Sequence, residues 1–332
     1  MTNRTTNRMT NIVITGGAGF LGARVARELL ATRPAARLTL IDQAPVPPDL
    51  AADDRVTAIA GDLAELAERG AGGSQGGPFG EMDVVFHLAS AVSGECEADF
   101  DLGLRANLLA TERLLAACRS LGTNPVVVYA SSLAVYGQTA RHPLPAAVDD
   151  YTLPVPQTSY GTHKAIGEYL LADYTRKGFV RGRALRLVTV SVRPGRPNGA
   201  ASSFMSGIIR EPLAGQRAVC PVDPATEVAL ASPAKAVTGL LRAADASDAE
   251  WGDRTAVNLP ALTVTVGEMA AALERLAGPA ARALIDWVPD PVVAGIVKGW
   301  PARIAAGRAA ELGLTPDPDF ESIIRAHRAE TA

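Results

Sequence analysis

The sequence predicts an α/β protein with a doubly wound parallel sheet and a smaller C-terminal lobe. Two observations carry most of that prediction. Apolar β-type runs alternate with helical segments five times between Asn11 and Ala130, the pattern of an open parallel sheet covered by helices on both faces. Within it, a strand runs directly into a glycine loop, Gly16-Gly-Ala-Gly19-Phe20-Leu21-Gly22, and then a helix, the order in which a Rossmann-type fold delivers a phosphate cradle. On this pattern, residues 1–10 are expected to be a disordered leader, with Met9 an alternative start. Residues 11–192 form the dinucleotide-binding domain, and 193–330 are mainly a substrate lobe with return segments to the sheet.

The first strand is Asn11–Thr15 and its helix follows as Ala23–Leu30. In the loop between them, Gly16 permits the sharp turn, Gly19 lets backbone approach a pyrophosphate, and Gly22 lets the helix pack closely on the strand. Phe20 and Leu21 belong to the same cofactor-contacting turn. The N–H groups and positive dipole end of the helix face the diphosphate. The second strand, Arg37–Ile41, ends in Asp42, about 20 residues past the last glycine, where an acid holds the adenosine ribose hydroxyls. Uncharged Gln43 follows it, so a 2'-phosphate would meet repulsion without compensation and NAD is expected over NADP.

Arg55–Ala60 is the third strand. Asp62 after it either accepts from the adenine amino group or caps the helix Leu63–Arg69. The stretch Gly70–Gly80 holds six glycines and reads as a flexible connection. Asp83–Ser90 is a continuously apolar fourth strand, as expected of one buried on both faces. His87 within it reads as a core or cofactor-edge residue rather than a catalytic one. Leu88, Ala89 and Ser90 at its carboxyl end, with Asn107 in the first turns of the helix Leu104–Leu121, are assigned to the cofactor. The fifth strand, Asn124–Ala130, runs into Ser131-Ser132, at the sheet edge where open α/β proteins bind ligands. A proline-rich loop leads to a helix from Tyr160 to Tyr174 with Ser159 as its N-cap. Tyr160 and Lys164, four residues apart, share one face of it.

Taken together, Gly16-x-x-Gly19-x-x-Gly22, Asp42, His87-Leu-Ala89, Ser131-Ser132-x-x-Val135-Tyr136-Gly137, Tyr160-x-x-x-Lys164 and the Arg193-Pro194-Gly195 turn resemble the extended short-chain dehydrogenase/reductase family. That family includes sugar-nucleotide epimerases and dehydratases, and the resemblance spans roughly residues 11–328. It implies Ser132, four before Tyr136, as the catalytic serine, with Tyr160 and Lys164 completing the set and Pro194 near the cofactor. The stretches Val92–Phe100 and Arg193–Phe204 are similar to the D-erythronate dehydrogenase subgroup, which oxidises the 2-hydroxyl of a four-carbon sugar acid.

The chemistry follows from those residue types. A phenol with a pKa of about 10 is a poor base. A neighbouring ammonium and the positive nicotinamide ring are expected to lower it, so that Tyr160 takes the substrate hydroxyl proton as hydride leaves for NAD. Ser132 hydrogen-bonds the reacting oxygen. A sugar acid also calls for a carboxylate clamp. Arg193, Arg196 and Arg210 are candidates, with Arg196 favoured, and Ser93, Glu95 and Ser202 are candidates for substrate contacts. An epimerase that retains its NAD, and a nicotinamide sensor without turnover, are the competing readings.

Composition narrows the partners. With 48% apolar and 20% charged residues and a net charge of -3, the chain has an ordinary core and no basic footprint for nucleic acid or a membrane surface. Three cysteines, Cys96, Cys118 and Cys220, have no metal-ligand spacing and read as reduced thiols of a cytoplasmic enzyme. No metal is expected, the substrate is a small sugar acid, and a homodimer is expected.

Overall fold

The computed structural model of the chain describes residues 10–71, 79–195 and 200–331. Twelve strands are present among them: β1 Thr10–Thr15, β2 Ala36–Asp42, β3 Val56–Ala60, β4 Val84–His87, β5 Val126–Ser132, β6 Arg181–Leu187, β7 Thr189–Val190, β8 Ala218–Cys220, β9 Glu227–Ala231, β10 Val257–Asn258, β11 Leu262–Thr265 and β12 Ile285–Trp287. Seven form a parallel sheet in the order β10-β6-β5-β4-β1-β2-β3. Read from its β3 edge, six of these follow the doubly wound order of a dinucleotide-binding sheet. The strand order reverses between β1 and β4, and in open α/β sheets the crevice outside the carboxyl ends at such a point is where ligands bind.

Alternation along each strand divides the core. Ile12 and Ile14 of β1 are buried with Leu38, Leu40, Phe86 and Val128 against helices Phe20–Thr32 and Pro233–Asp245. Val13, between them, is buried on the other face with Val85, Val127 and Leu171, against helices Leu63–Ala71, Ala110–Leu121 and Ser159–Arg176. This is the period-two consequence of the pleat. Helix Phe20–Thr32 buries Gly22, Ala23, Val25, Ala26 and Leu29, a single stripe at helical spacing. A third buried cluster includes Met205, Ile208, Val228, Leu273 and Ile324. It joins the small sheets β11-β9-β7 and β12-β8 to helices Phe204–Leu213, Val266–Ala277 and Phe320–Thr331.

Four local differences from expectation have identifiable causes. Thr10 is not part of a leader, because it pairs with Ala36 in the first rung of β1 and β2; residues 1–9 lie outside the described residues, as do 72–78 of the glycine-rich connection. The first helix begins at Phe20 rather than Ala23, immediately after Gly19. The cap of helix Ser159–Arg176 is Thr158, whose side chain accepts from Gly161 N–H at 3.1 Å, while Ser159 N–H is taken by Glu97 at 2.7 Å. Finally, Leu104–Leu109 is a π-helical segment preceding the regular helix, the kind of wide turn often found beside functional sites.

Candidate active site

A cavity of about 650 Å³ opens at the carboxyl ends of β1, β2, β4, β5 and β6. Its floor is the glycine loop. Gly16 has φ of 72°, and a Cβ there would lie 2.8 Å from Ala89 N. At Gly22 a Cβ would fall 2.0 Å from Gly16 O, closer than any real side-chain contact. Gly19 N–H closes the loop onto Gly16 O at 3.0 Å, which sets the first turn of the helix, with its unpaired N–H groups, against the cavity. A cradle with no room for side chains at the start of a helix suits a pyrophosphate.

The adenosine end is equally ordered. Asp42 accepts from Ala18 N–H through Oδ2 and from Ala44 N–H through Oδ1, both at 3.0 Å, so its carboxylate is held at the cavity wall. Asp62 acts as an N-cap, accepting from Ala64 N–H at 2.9 Å. Its second oxygen accepts from Gln43 Nε2 at 3.3 Å and also borders the cavity.

Leu88, Ala89 and Ser90 line the cavity where β4 ends. Asn107 does not reach it. Its side chain is spent beneath the loop, accepting from Ala91 N–H at 2.7 Å and Ser90 Oγ at 3.0 Å and donating to Ala91 O at 3.1 Å. It therefore shapes the loop that borders the cofactor position. His87 is buried between Thr15 Oγ1 at 2.7 Å and Thr111 Oγ1 at 2.8 Å. Burial, aided by the Lys164 charge, pushes its pKa down to about 3, so it is a neutral core histidine.

Beyond the cradle the sheet brings Ser132, Tyr160 and Lys164 together on the cavity wall. The two serines of β5 part company. Ser131 is buried and donates to Glu168 Oε1 at 2.5 Å. Ser132 Oγ accepts from Ala134 N–H at 3.1 Å and lies beside the Tyr160 phenol together with Ser90. Lys164 is buried and donates to Ala130 O at 2.8 Å, with Nζ 5.6 Å from the centre of the Tyr160 ring. Burial lowers its pKa to about 8, opposed by Cys96 and Glu168. The expected lowering of the Tyr160 pKa is not found in the chain by itself. Burial raises it, and the hydrogen bonds from Ser132 and Ser90 and the charge of Arg193 only partly offset this. Lys164 Nζ stands 5.6 Å from the ring centre with its ammonium on Ala130 O, and the larger lowering influences are Ser132, Arg193 and Ser90.

At the far end stand Ser93, Glu95, Arg193 and Ser202. Arg193 donates from Nε to Val190 O at 3.1 Å and from Nη2 to Ser202 Oγ at 2.9 Å. Its own pKa is lowered by burial, which Tyr160 counteracts. Glu95 accepts from Val92 N–H at 2.9 Å and caps its own helix. Arg210 is spent elsewhere, donating to Arg193 O at 2.7 Å and to Glu211 at 2.5 Å, and does not line the cavity. Pro194 borders a separate groove against helix Phe20–Thr32. Arg196 lies outside the described residues.

The model of the NAD-dependent epimerase/dehydratase family matches residues 12–250. The chain belongs to that family. It is 49% identical to a D-erythronate dehydrogenase of Cupriavidus necator over 96% of this chain and 97% of that protein. It is 40% identical to a D-erythronate dehydrogenase of Haemophilus influenzae over 95% and 97%. Among solved structures, a nucleoside-diphosphate-sugar epimerase from Agrobacterium tumefaciens superposes with a TM-score of 0.87 at 39% identity, covering 99% of this chain and 97% of that one. The chain is thus an NAD-dependent oxidoreductase of the epimerase/dehydratase family.

In this family member a buried network backs the cavity wall. Glu168, one turn beyond Lys164, pairs bidentately with Arg186 of β6 at 2.9 and 2.7 Å. Arg186 Nη1 also donates to Tyr136 Oη at 2.6 Å, and Tyr136 Oη reaches Asn258 Oδ1 of β10 at 2.9 Å. Ser131, Glu168, Arg186 and Tyr136 therefore tie β5, the Tyr160 helix, β6 and β10 into one unit. Sequence reasoning passed over Glu168 and Arg186. The signal was there in Leu185-Arg186-Leu187, a charge inside an apolar strand of a parallel sheet, which must find a buried partner. Trp300 of the C-terminal region also lines the cavity and had no sequence signal.

Proposed function

We propose that the chain oxidises the 2-hydroxyl of a sugar acid of the D-erythronate kind to the 2-oxo acid, with NAD as the hydride acceptor. The observation that carries this reading is Arg193. Its guanidinium stands on the cavity wall close enough for its charge to act on the Tyr160 phenol. A 2-hydroxy acid carries its carboxylate on the carbon next to the reacting one, so a cation beside the base suits oxidation at C2 and suits a neutral sugar less. Gly16, Gly19, Phe20, Leu21, Gly22, Asp42, Leu88, Ala89 and Ser90 would hold NAD, whose chemistry is to accept hydride.

The chain's own residues do the rest. Tyr160 takes the proton from the C2 hydroxyl. Ser132 hydrogen-bonds the same oxygen and keeps it oriented as the carbonyl forms. Lys164 supplies buried positive charge near the phenol, which joins the nicotinamide charge in bringing the raised phenol pKa back into range. Arg193 clamps the carboxylate, and Ser93 and Ser202 are placed for the remaining hydroxyls. The three cysteines are buried free thiols, which supports a cytoplasmic enzyme. Apolar side chains exposed around the Tyr160 helix, Phe100, Ile166 and Tyr169, support a homodimer.

Similarity to the Agrobacterium epimerase favours one alternative, a nucleotide-sugar epimerase that keeps its NAD. One assay separates the two. Purified protein with added NAD is offered four- and six-carbon sugar acids, and NADH is followed by absorbance. Net NADH with a four-carbon acid is expected. Cofactor that co-purifies, with no net NADH from any acid, would refute the dehydrogenase reading.

A further inference from the structure

We propose that Trp300 sets the length of sugar acid that the active site accepts, an inference that rests on the dehydrogenase reading above. Among the described residues, every residue lining the cavity falls between Gly16 and Ser202 except Trp300. The described residues beyond Ser202, expected from the sequence to bind the substrate, meet the cavity through Trp300. The lining residues differ in kind. Arg193, Ser93 and Ser202 offer charge and hydroxyls to a short acid, whereas Trp300 is a bulky, largely apolar side chain that does little to satisfy further hydroxyl groups along a longer chain.

The indole is also not free to step aside. It packs against both the sheet cluster that holds Leu187, Val188 and Val190 and the C-terminal cluster that holds Met205 and Phe320. The backbone N–H of Trp300 donates to Val297 O at 3.1 Å, closing the helix Pro291–Lys298 and fixing the main chain from which the ring projects. The strap that follows is pinned twice, by Thr263 Oγ1 donating to Ala302 O at 2.6 Å and by reciprocal backbone bonds between Val148 and residues Arg303 and Ala305 at 3.1 and 2.8 Å. A close-packed wall of this kind responds to an oversized ligand by exclusion rather than by yielding. Discrimination by such a wall amounts to roughly 10- to 200-fold for each carbon-sized group.

The test measures kcat/KM for four-, five- and six-carbon sugar acids with NAD for the wild type, Trp300→Ala and Trp300→Phe. The expected result is a six-carbon to four-carbon ratio raised at least about tenfold in Trp300→Ala, with a smaller rise in Trp300→Phe and an unchanged KM for NAD in both. Trp300→Phe keeps a ring between the two clusters, so it reports on length selection even if Trp300→Ala folds poorly. Equal losses for all three acids, or an unchanged ratio in Trp300→Phe together with Trp300→Ala, would overturn the assignment while leaving the proposed function intact. A wild type that oxidises none of the three acids would overturn the function and this assignment with it.

Discussion

Replacing Arg193 by methionine tests the proposed reaction at the group that distinguishes it. A guanidinium has five N–H donors. In the structure Nε–H is used by Val190 O and one Nη2–H by Ser202 Oγ. Among the described residues that leaves both donors on Nη1 and one on Nη2, the end of the fork that meets a carboxylate with two parallel bonds. Methionine keeps most of the stem packing and removes the charge. Loss of charge-assisted bonds to a desolvated carboxylate costs about 1.5–3 kcal/mol, or roughly 10- to 150-fold in kcat/KM. The two bonds lost within the protein cost only about 1 kcal/mol each, so the melting temperature falls by a few degrees. The assay is kcat/KM for a four-carbon sugar acid at saturating NAD, beside the Kd for NAD and a melting curve. Kd should not move, and lysine should restore part of the loss because an ammonium brings charge without the planar fork. A stable Arg193→Met protein with unaltered sugar-acid kinetics would refute the clamp.

Tyr160→Phe should lower kcat by about 100- to 10,000-fold with NAD binding retained. Because the phenol is raised by burial and the base is its deprotonated form, wild-type kcat/KM for oxidation should climb as pH rises. A flat profile from neutral to alkaline pH would assign the proton to another group. Wild-type kcat/KM should be higher with NAD than with NADP, and Asp42→Ala should narrow the ratio; equal values in the wild type would place the Asp42 carboxylate away from the ribose. Glu168→Gln leaves Arg186 buried beside a neutral amide, and breaking such a pair costs about 3–5 kcal/mol. A large drop in melting temperature is expected, and a drop within error would show that the pair carries no stability.

Much of this protein was legible in its sequence because the relevant physics is local. A glycine loop between a β-branched run and a helix former needs only backbone sterics to be recognised, and a Cβ at Gly22 would indeed strike Gly16 O. The four-residue spacing of Tyr160 and Lys164 puts them on one helical face whatever surrounds them. The alternation of runs gave the sheet, since parallel strands buried on both faces must be apolar throughout. Other features depended on distances in the sequence that no local pattern measures. Asn107 reads as a polar residue at a helix start, yet it turns beneath Ala91 because the π-helical segment carries it there. Arg193 and Arg210 look equivalent until Arg210 is found donating to the backbone of the other. The raised pKa of Tyr160 in the chain by itself is equally non-local, since desolvation depends on everything packed around the phenol and the neighbouring lysine supplies only part of the field. Trp300 carries no motif and lies far from Tyr160 in the chain. Only the packing of two clusters against each other brings it to the cavity, because tertiary contact is set by the buried surfaces of both bodies and no stretch of sequence contains both.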